Sequence, residues 1–332
     1  MTPLVSVVMP VCNGMPFLKQ SLESIQEQSL TDIEIIVFDN GSTDGSGALI
    51  RRSMASDERV RYHRRDSPMG IASSSNAAVD LSRAPLIARM DADDVAHKDR
   101  LRRQMGTFER FPDAVLVGTL HDGIDSRGKR VMPRDRGRLF SRRATVPFCH
   151  GSVMFRRDAF EAIGGYRAEV DFWTDMDLYF RLSEMGPIVV ITDALYTYRF
   201  HGGNHSNFVE PETMISSVAE LRQVKQARKA GREGSGGQTL GPDAASIESA
   251  RAQATGLHVW AGHKPPAWTI ARRPRGAGSG IGSWMRTALL TYGARLSPRM
   301  TRFLLRLYVR ARDLLATVRL GGKEHVIWRF ER

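Results

Sequence analysis

Cysteine is nearly absent: Cys12 and Cys149 are the only two in 332 residues. That excludes a disulfide framework and any cysteine cluster with metal-ligand spacing, and it points to a reducing compartment. No apolar run approaches the ~20 residues a membrane span requires. The opening Met1-Thr2-Pro3-Leu4 lacks the basic region of a signal peptide, and the apolar run behind it stops at Pro10, so a first strand is expected there. No internal repeat recurs along the chain. Residues 1–206 also lack net charge, with 27 basic and 27 acidic side chains, whereas residues 207–332 carry 21 Lys and Arg against 9 Asp and Glu. The whole excess of +12 therefore lies in the C-terminal part, which calls for an anionic partner, a membrane surface or a nucleic acid.

With 42% hydrophobic and 25% charged residues, the composition suits a soluble globular protein long enough for one large domain and an appendage. The first hundred residues alternate strand and helix. Val5 to Met9, Ile33 to Phe38, Val60 to His63 and Leu86 to Arg89 read as strands. Between them, helices are expected over Phe17 to Ile25, Ser46 to Met54 and Ala72 to Leu81. Such alternation predicts an α/β fold with a mostly parallel sheet flanked by helices. A helix over Lys98 to Phe111 and a strand over Val115 to Gly118 follow. Asp122 to Arg143, polar and basic, reads as a loop. The sheet resumes at His150 to Phe155, helices are expected at Asp158 to Ile163 and Asp175 to Met185, and Ile188 to Ile191 and Leu195 to Tyr198 read as closing strands. The expected first domain is 1–206. Residues 207–332 form a basic, mainly helical extension with a Gly-rich linker near 231–241.

Asp91-Ala92-Asp93-Asp94 packs three carboxylates into four residues behind the apolar Pro85-Leu86-Ile87-Ala88. Like charges this close repel unless something positive sits among them. A strand ending in such a cluster sets hard oxygen ligands at the carboxyl edge of a sheet, where open α/β sheets bind ligands. Mg²⁺ or Mn²⁺ suits these ligands and keeps positions open for phosphate. The other reading is a solvated turn that caps the helix near Lys98.

Three features occur together: a strand ending in Asp39 before Gly41-Ser42-Thr43-Asp44, the strand ending in Asp91 to Asp94, and Trp173-Thr174-Asp175-Met176-Asp177-Leu178 opening a helix. Added to Ser6-Val7-Val8-Met9-Pro10-Val11-Cys12-Asn13-Gly14, His150-Gly151-Ser152, Gly164-Gly165-Tyr166 and Tyr198-Arg199-Phe200-His201, they make residues 4 to about 206 resemble the family 2 glycosyltransferases. Those are inverting enzymes of the GT-A (Rossmann-like) fold that use nucleotide-diphosphate sugars. The resemblance implies a Mn²⁺ or Mg²⁺ cofactor held by Asp93, with Asp91 near ribose and metal and Asp94 in support. It implies Asp175 as the base that deprotonates the acceptor hydroxyl, and Asp39 accepting a hydrogen bond from the nucleobase. Pro10 and Asn13 would line the same pocket, Asn76 falls in the donor site, and His201 matches a position near metal or diphosphate. Cys12, Asn40, Ser75 and Thr174 depart from the family pattern, which bears on donor preference. Asp175 can also serve as a helix N-cap, Asp177 reads as structural, and the Arg64-Arg65 pair as solvated surface.

The expected reaction is a single displacement. A diphosphate leaves with two negative charges, a divalent ion stabilises them, and a base removes the acceptor proton from the opposite face. Processive members carry membrane spans and a Gln-x-x-Arg-Trp motif, both absent here. The implied acceptor is a glycan or lipid-linked acceptor in surface polysaccharide synthesis. A nucleotidyltransferase would need a Gly-rich N-terminal phosphate loop, and a non-catalytic scaffold docking through its basic tail would not need Asp93 and Asp175.

From Ser297, apolar residues Met300, Phe303, Leu304, Leu307, Tyr308 and Ala311 follow helical spacing beside a stripe of Arg299, Arg302, Arg306 and Arg310. Such a helix lies on an anionic membrane surface or packs on protein. It lacks the interleaved aromatic platform of single-strand binders, so no nucleic acid is expected. The expected location is the cytoplasm, peripheral at the inner face of the cell membrane where that helix binds lipid.

Overall fold

A computed structural model of the protein describes residues 2–132, 148–168 and 174–204, together with the backbone of 324–328. The N-terminal alternation is β1 (Val5–Val11), α1 (Leu18–Gln26), β2 (Ile33–Asn40), α2 (Ser46–Ser56), β3 (Val60–Arg65), α3 (Ile71–Asp80) and β4 (Leu86–Arg89). There follow β5 (Val95–Ala96), α4 (Arg100–Arg110), β6 (Leu116–Asp125), β7 (Arg130–Met132), a single 3₁₀ turn at His150–Ser152, β8 (Met154–Arg156), α5 (Arg157–Ala162), α6 (Thr174–Met185), β9 (Ile188–Phe200) and β10 (Glu324–Trp328). Of the described residues, 125–132 and 200–204 fall in a second compact unit; the others belong to the unit that carries the sheet and the site.

The sheet runs β10-β9-β6-β8-β4-β1-β2-β3. Alternate residues of β1, Val5, Val7, Met9 and Val11, share one core cluster with Leu18, Leu22 and Ile25 of α1 and with Ile33, Ile35 and Val37 of β2. A period of two on the strand thus meets a period near 3.6 on the helix. The chain leaves β1 on one side for β2 and β3, then crosses to the other side for β4, which creates a switch point at the carboxyl ends of β1 and β4.

The expected parallel sheet is half of what forms. β1 pairs in parallel with β2 and β4, and β2 with β3, whereas β8 runs antiparallel to β4 and β6, and β5 and β10 antiparallel to β9. The two expected closing strands are one strand of 13 residues, because the polar Thr192-Asp193 inside it is accommodated: Thr192 is buried, and Asp193 Oδ2 accepts from Arg103 Nη2 at 2.7 Å. The expected loop at Asp122 begins instead as the end of β6. A turn then forms in which Asp125 N donates to Lys129 O (2.9 Å) and Gly128 takes φ +77°, and it leads into β7. Residues 133–143 of that loop, the 231–241 linker and the basic helix after Ser297 lie outside the described residues. Strand β10 was not anticipated in the C-terminal extension.

One buried carboxylate ties this architecture together. Glu34 Oε1 accepts from Ser6 Oγ (2.6 Å) on the neighbouring strand and from Arg83 N (2.7 Å), and Oε2 accepts from Arg61 Nη1 (2.8 Å) and Arg83 Nε (2.9 Å). Burial alone would raise its pKa, but these bonds outweigh burial and hold it below the usual range. Glu34 therefore stabilises the fold above the pKa of an unfolded carboxyl and loses that contribution as pH falls through its own lower value. Glu34→Gln is expected to cost about 2 kcal/mol at pH 7 and progressively less as pH falls below the range of an unfolded carboxyl, read from denaturant melts along a pH series.

Candidate active site at the carboxyl edge of the sheet

The loops that follow β1 and β2 interlock. Asn13, at φ +53°, donates its N–H to Ser42 Oγ (2.9 Å), and its side-chain oxygen accepts from Thr43 N (2.9 Å). Gly14 N donates to Ser46 Oγ (3.0 Å), and Met15 N to Asp44 Oδ2 (2.8 Å). The Asn-Gly and Gly-Ser-Thr-Asp motifs thus build one rigid ledge, with Pro10 partly exposed opposite Phe38 at its base.

Asp39, at the end of β2, is fully buried. Its Oδ1 accepts from Ser42 N (2.8 Å), and its Oδ2 accepts from Tyr62 Oη (2.7 Å) and Arg64 Nη1 (2.8 Å). Burial works against ionisation, but the Ser42 and Tyr62 bonds and the Arg64 charge prevail, so the pKa is lowered. Arg64 is therefore a partner of Asp39 rather than the solvated surface group expected. Asn40 closes a two-way clasp on Met69, Nδ2 to O (2.8 Å) and N to Oδ1 (2.9 Å).

The acidic cluster leaves the end of β4 surrounded by buried arginines. Arg89 Nη2 lies 3.2 Å from Asp91 Oδ1. Arg199, from β9, donates its N–H to Asp94 Oδ1 (2.7 Å), its Nε to Asp93 O (2.8 Å) and its Nη2 to Gln20 Oε1 (2.6 Å). Arg100 is wholly buried beneath, its guanidinium 5.2 Å from the Tyr196 ring centroid and bonded to Arg89 O and Gln104 Oε1. One cation, Arg89, pairs directly with a cluster carboxylate and the charge of Arg100 acts on Asp91 and Asp94, whereas Arg199 spends its guanidinium on the Asp93 carbonyl and Gln20, so the repulsion the sequence poses is answered only in part. Burial still raises the pKa of Asp91, with Asp93 adding to the rise and Arg89 opposing it. Asp94 rises further, through burial and the charges of Asp93 and Asp91.

The donor set suits a hard divalent cation. Asp91 and Asp93 offer carboxylate oxygens that are partly exposed, while the Cys149 thiol is pushed up by burial and by Asp94 and Asp91 and is no competing ligand. Among the described residues no three His, Cys, Asp or Glu side chains enclose a cation, so phosphate and water would have to complete its shell. His201 follows β9 in the second unit, its N–H donating to Asn204 Oδ1 (2.7 Å) and its Nδ1 accepting from Gly203 N (3.1 Å).

Asp175 lies inside the first turn of α6, not at its cap, and its Oδ1 accepts from Met176 N at 2.8 Å. Burial raises its pKa to about 6; the N–H groups of Met176 and of Asp175 itself moderate the rise, and the charge of Asp91 adds to it. The charge of Asp91 thus reaches Asp175. Asp177 is structural as expected, paired with Arg181 at 2.6 Å. Asn76 spends both polar groups on the backbone of Tyr166, Nδ2 to O (2.8 Å) and N to Oδ1 (2.9 Å).

The family model described as "Glycosyl transferase family 2" matches residues 6–164. The putative glycosyltransferase EpsE of Bacillus subtilis is 32% identical over 190 residues, covering 55% of this chain and 68% of its own. The chain belongs to glycosyl transferase family 2. Chondroitin synthase of Escherichia coli is 31% identical over 206 residues, 61% of this chain; the match spans only 30% of that longer protein. In fold the transferase is similar to a mannosyltransferase from Pyrobaculum calidifontis, solved in complex with GDP-Man and Mn²⁺, at a TM-score of 0.55 and 19% identity over 96% of this chain and 88% of that one. The GT-A fold expected from the sequence is the fold observed. Among the described residues no helix is long and apolar enough to cross a membrane.

Sequence reasoning singled out the aspartates and missed their supports. Arg89 lies two residues from its partner Asp91, whereas Arg199 reaches the Asp93 carbonyl and Gln20 from more than a hundred residues away, which nothing local marks. Arg100 looked like one more basic residue of an amphipathic helix.

Proposed function

We propose that this family 2 glycosyltransferase is a non-processive, inverting, metal-dependent enzyme. It would move one sugar from a nucleotide-diphosphate donor to a glycan or lipid-linked acceptor in surface polysaccharide synthesis. The observation that carries the reading is Asp175: a carboxyl whose burial and acidic neighbour Asp91 shift its pKa to about 6, at the edge where Asp91 and Asp93 gather. A base poised near the working pH takes a hydroxyl proton efficiently, and two acids in unlike environments divide the labour between base and ligand.

In this reading the ledge of Asn13, Ser42 and Asp44 receives the nucleoside, with the ionised Asp39 behind it. Asp93 and Asp91 hold Mn²⁺ or Mg²⁺, which when bound stabilises charge on the departing diphosphate. Asp175 accepts the acceptor proton from the far side of the sugar, which inverts the anomeric centre. A lipid-linked acceptor would place the enzyme at the inner face of the cell membrane, with the basic C-terminal stretch against anionic lipid. The Mn²⁺–nucleotide-sugar complex of the Pyrobaculum enzyme and the matches to chondroitin synthase and EpsE support donor class and setting.

A panel of UDP-, GDP-, ADP- and dTDP-sugars, scored for nucleoside-diphosphate release with Mn²⁺, Mg²⁺ or EDTA, tests the reading. We expect release from one nucleotide class, silence in EDTA and recovery on adding metal. Full activity in EDTA removes the metal; no release from any donor removes the catalytic reading.

A further inference from the structure

His150 takes no part in the chemistry above, yet it occupies a junction. It opens the 3₁₀ turn before β8, its Nδ1 lies 2.9 Å from Tyr179 Oη, and its Nε2 lies 2.9 Å from Tyr166 Oη. Resting on the glycosyl-transfer reading, we propose that His150 is a positioning residue for the base. By bridging the hydroxyls of Tyr166 and Tyr179 it fixes the first turns of α6, and so the place of Asp175 relative to Asp91.

The argument is one of valence and periodicity. A neutral imidazole has one N–H donor and one acceptor nitrogen, so two phenols saturate it. Burial together with the nearby Arg89 charge disfavours the imidazolium, pushing the pKa well down and keeping both nitrogens committed. Tyr179 stands four residues beyond Asp175, one turn along the same face of α6. Tyr166 is itself fixed by the Asn76 clasp from α3, and Gly165 before it takes φ +67° where a Cβ would stand 2.8 Å from Asn76 Oδ1.

The same turn also meets the metal side. A Cβ on Gly151 would fall 2.6 Å from Asp91 Oδ2 and closer still to the Tyr196 hydroxyl, so only glycine lets the turn approach Asp91. One short turn thus touches an aspartate of the donor side through Gly151 and the base-bearing helix through His150. Small displacements between reacting groups cost rate steeply. Groups that only bind donor, on the ledge after β1 and β2, are not part of this linkage.

The test compares wild type, His150→Phe, His150→Gln and Tyr179→Phe, using the nucleotide sugar that wild type accepts. We expect His150→Phe to lose about 10- to 100-fold in kcat with donor KM within about twofold of wild type. Gln, which keeps one donor and one acceptor, should restore most of the loss, and Tyr179→Phe should reproduce it. Should His150→Phe fail to fold, His150→Gln and Tyr179→Phe decide the matter. Turnover within twofold of wild type in Tyr179→Phe overturns the proposal. So does a loss in which KM, kcat and melting temperature fall together and Gln rescues none. A wild type that turns over no donor overturns the transfer reading itself, and His150's role with it.

Discussion

Asp175→Asn is expected to bind donor almost normally and to lose about 10²–10⁴-fold in turnover. Asparagine keeps the size of the side chain and an oxygen for the Met176 N–H, so the helix start survives while the basicity goes. The pKa of about 6, set by burial and by Asp91, gives this prediction a second dimension. Below that pH Asp175 holds its proton and cannot accept another, so wild-type kcat/KM should rise with pH through a limb centred near 6. The limb should be absent from the residual activity of the variant. Stability runs the other way. An unfolded carboxyl ionises near 3.8, so as pH climbs from there to about 6 the folded state is penalised for keeping this half-buried acid from ionising, and above 6 the penalty is complete. The Asn variant should therefore melt at a higher temperature than wild type at pH 8 and at nearly the same temperature at pH 3. An inactive variant that also melts lower at pH 8 would mean that Asp175 supports the fold rather than the chemistry.

How far this could be read from sequence depended on where each group's partner lies. From β1 to β4 the elements form within a residue or two of expectation, and β4 occupies Leu86–Arg89 as expected, because pattern, turn chemistry and burial all agree locally. Strand β9 crosses Thr192-Asp193-Ala194 without a break because the partner of Asp193 is Arg103, ninety residues away, and no local pattern carries that fact. β5 has two residues and exists through its pairing with β9; β10 joins the sheet from the far end of the chain. The site divides in the same way. Asp39, Asp91, Asp93 and Asp175 are visible as motifs, since a clustered or strand-terminal acid is unusual by itself. Arg199 and His150 act through residues distant in sequence, and a single chain without its fold gives no sign of that. Asn76 shows the converse: the motif points to it, and the structure commits both its polar groups to Tyr166.

Within the acidic cluster the three carboxylates should separate sharply on mutation, with Asp93→Ala the most damaging to function and the least damaging to the fold. Asp94 is buried and receives the Arg199 N–H at 2.7 Å, so removing it unseats β9 from the loop. Asp91 shares its charge with Arg89 at 3.2 Å, and a Cβ at Gly151 would crowd it, so its removal disturbs the packing as well as the proposed metal side. Asp93 is fixed through its backbone, with Arg199 Nε on its carbonyl at 2.8 Å, and as a residue it is half-buried at the sheet edge. A fixed main chain carrying a hard oxygen ligand that is not fully buried suits the proposed metal role. Asp93→Ala should cut turnover on the order of 10³-fold or more, with a melting temperature within a few degrees of wild type. Mn²⁺ binding in the presence of nucleoside diphosphate, followed by loss of the free-ion electron paramagnetic resonance signal, gives a readout independent of turnover. Wild type should take up one ion and Asp93→Ala none at the same concentrations. Asp94→Ala should instead melt well below wild type. If Asp93→Ala binds Mn²⁺ as wild type does, the ion is held elsewhere, and the cluster is a capped turn balanced by its arginines.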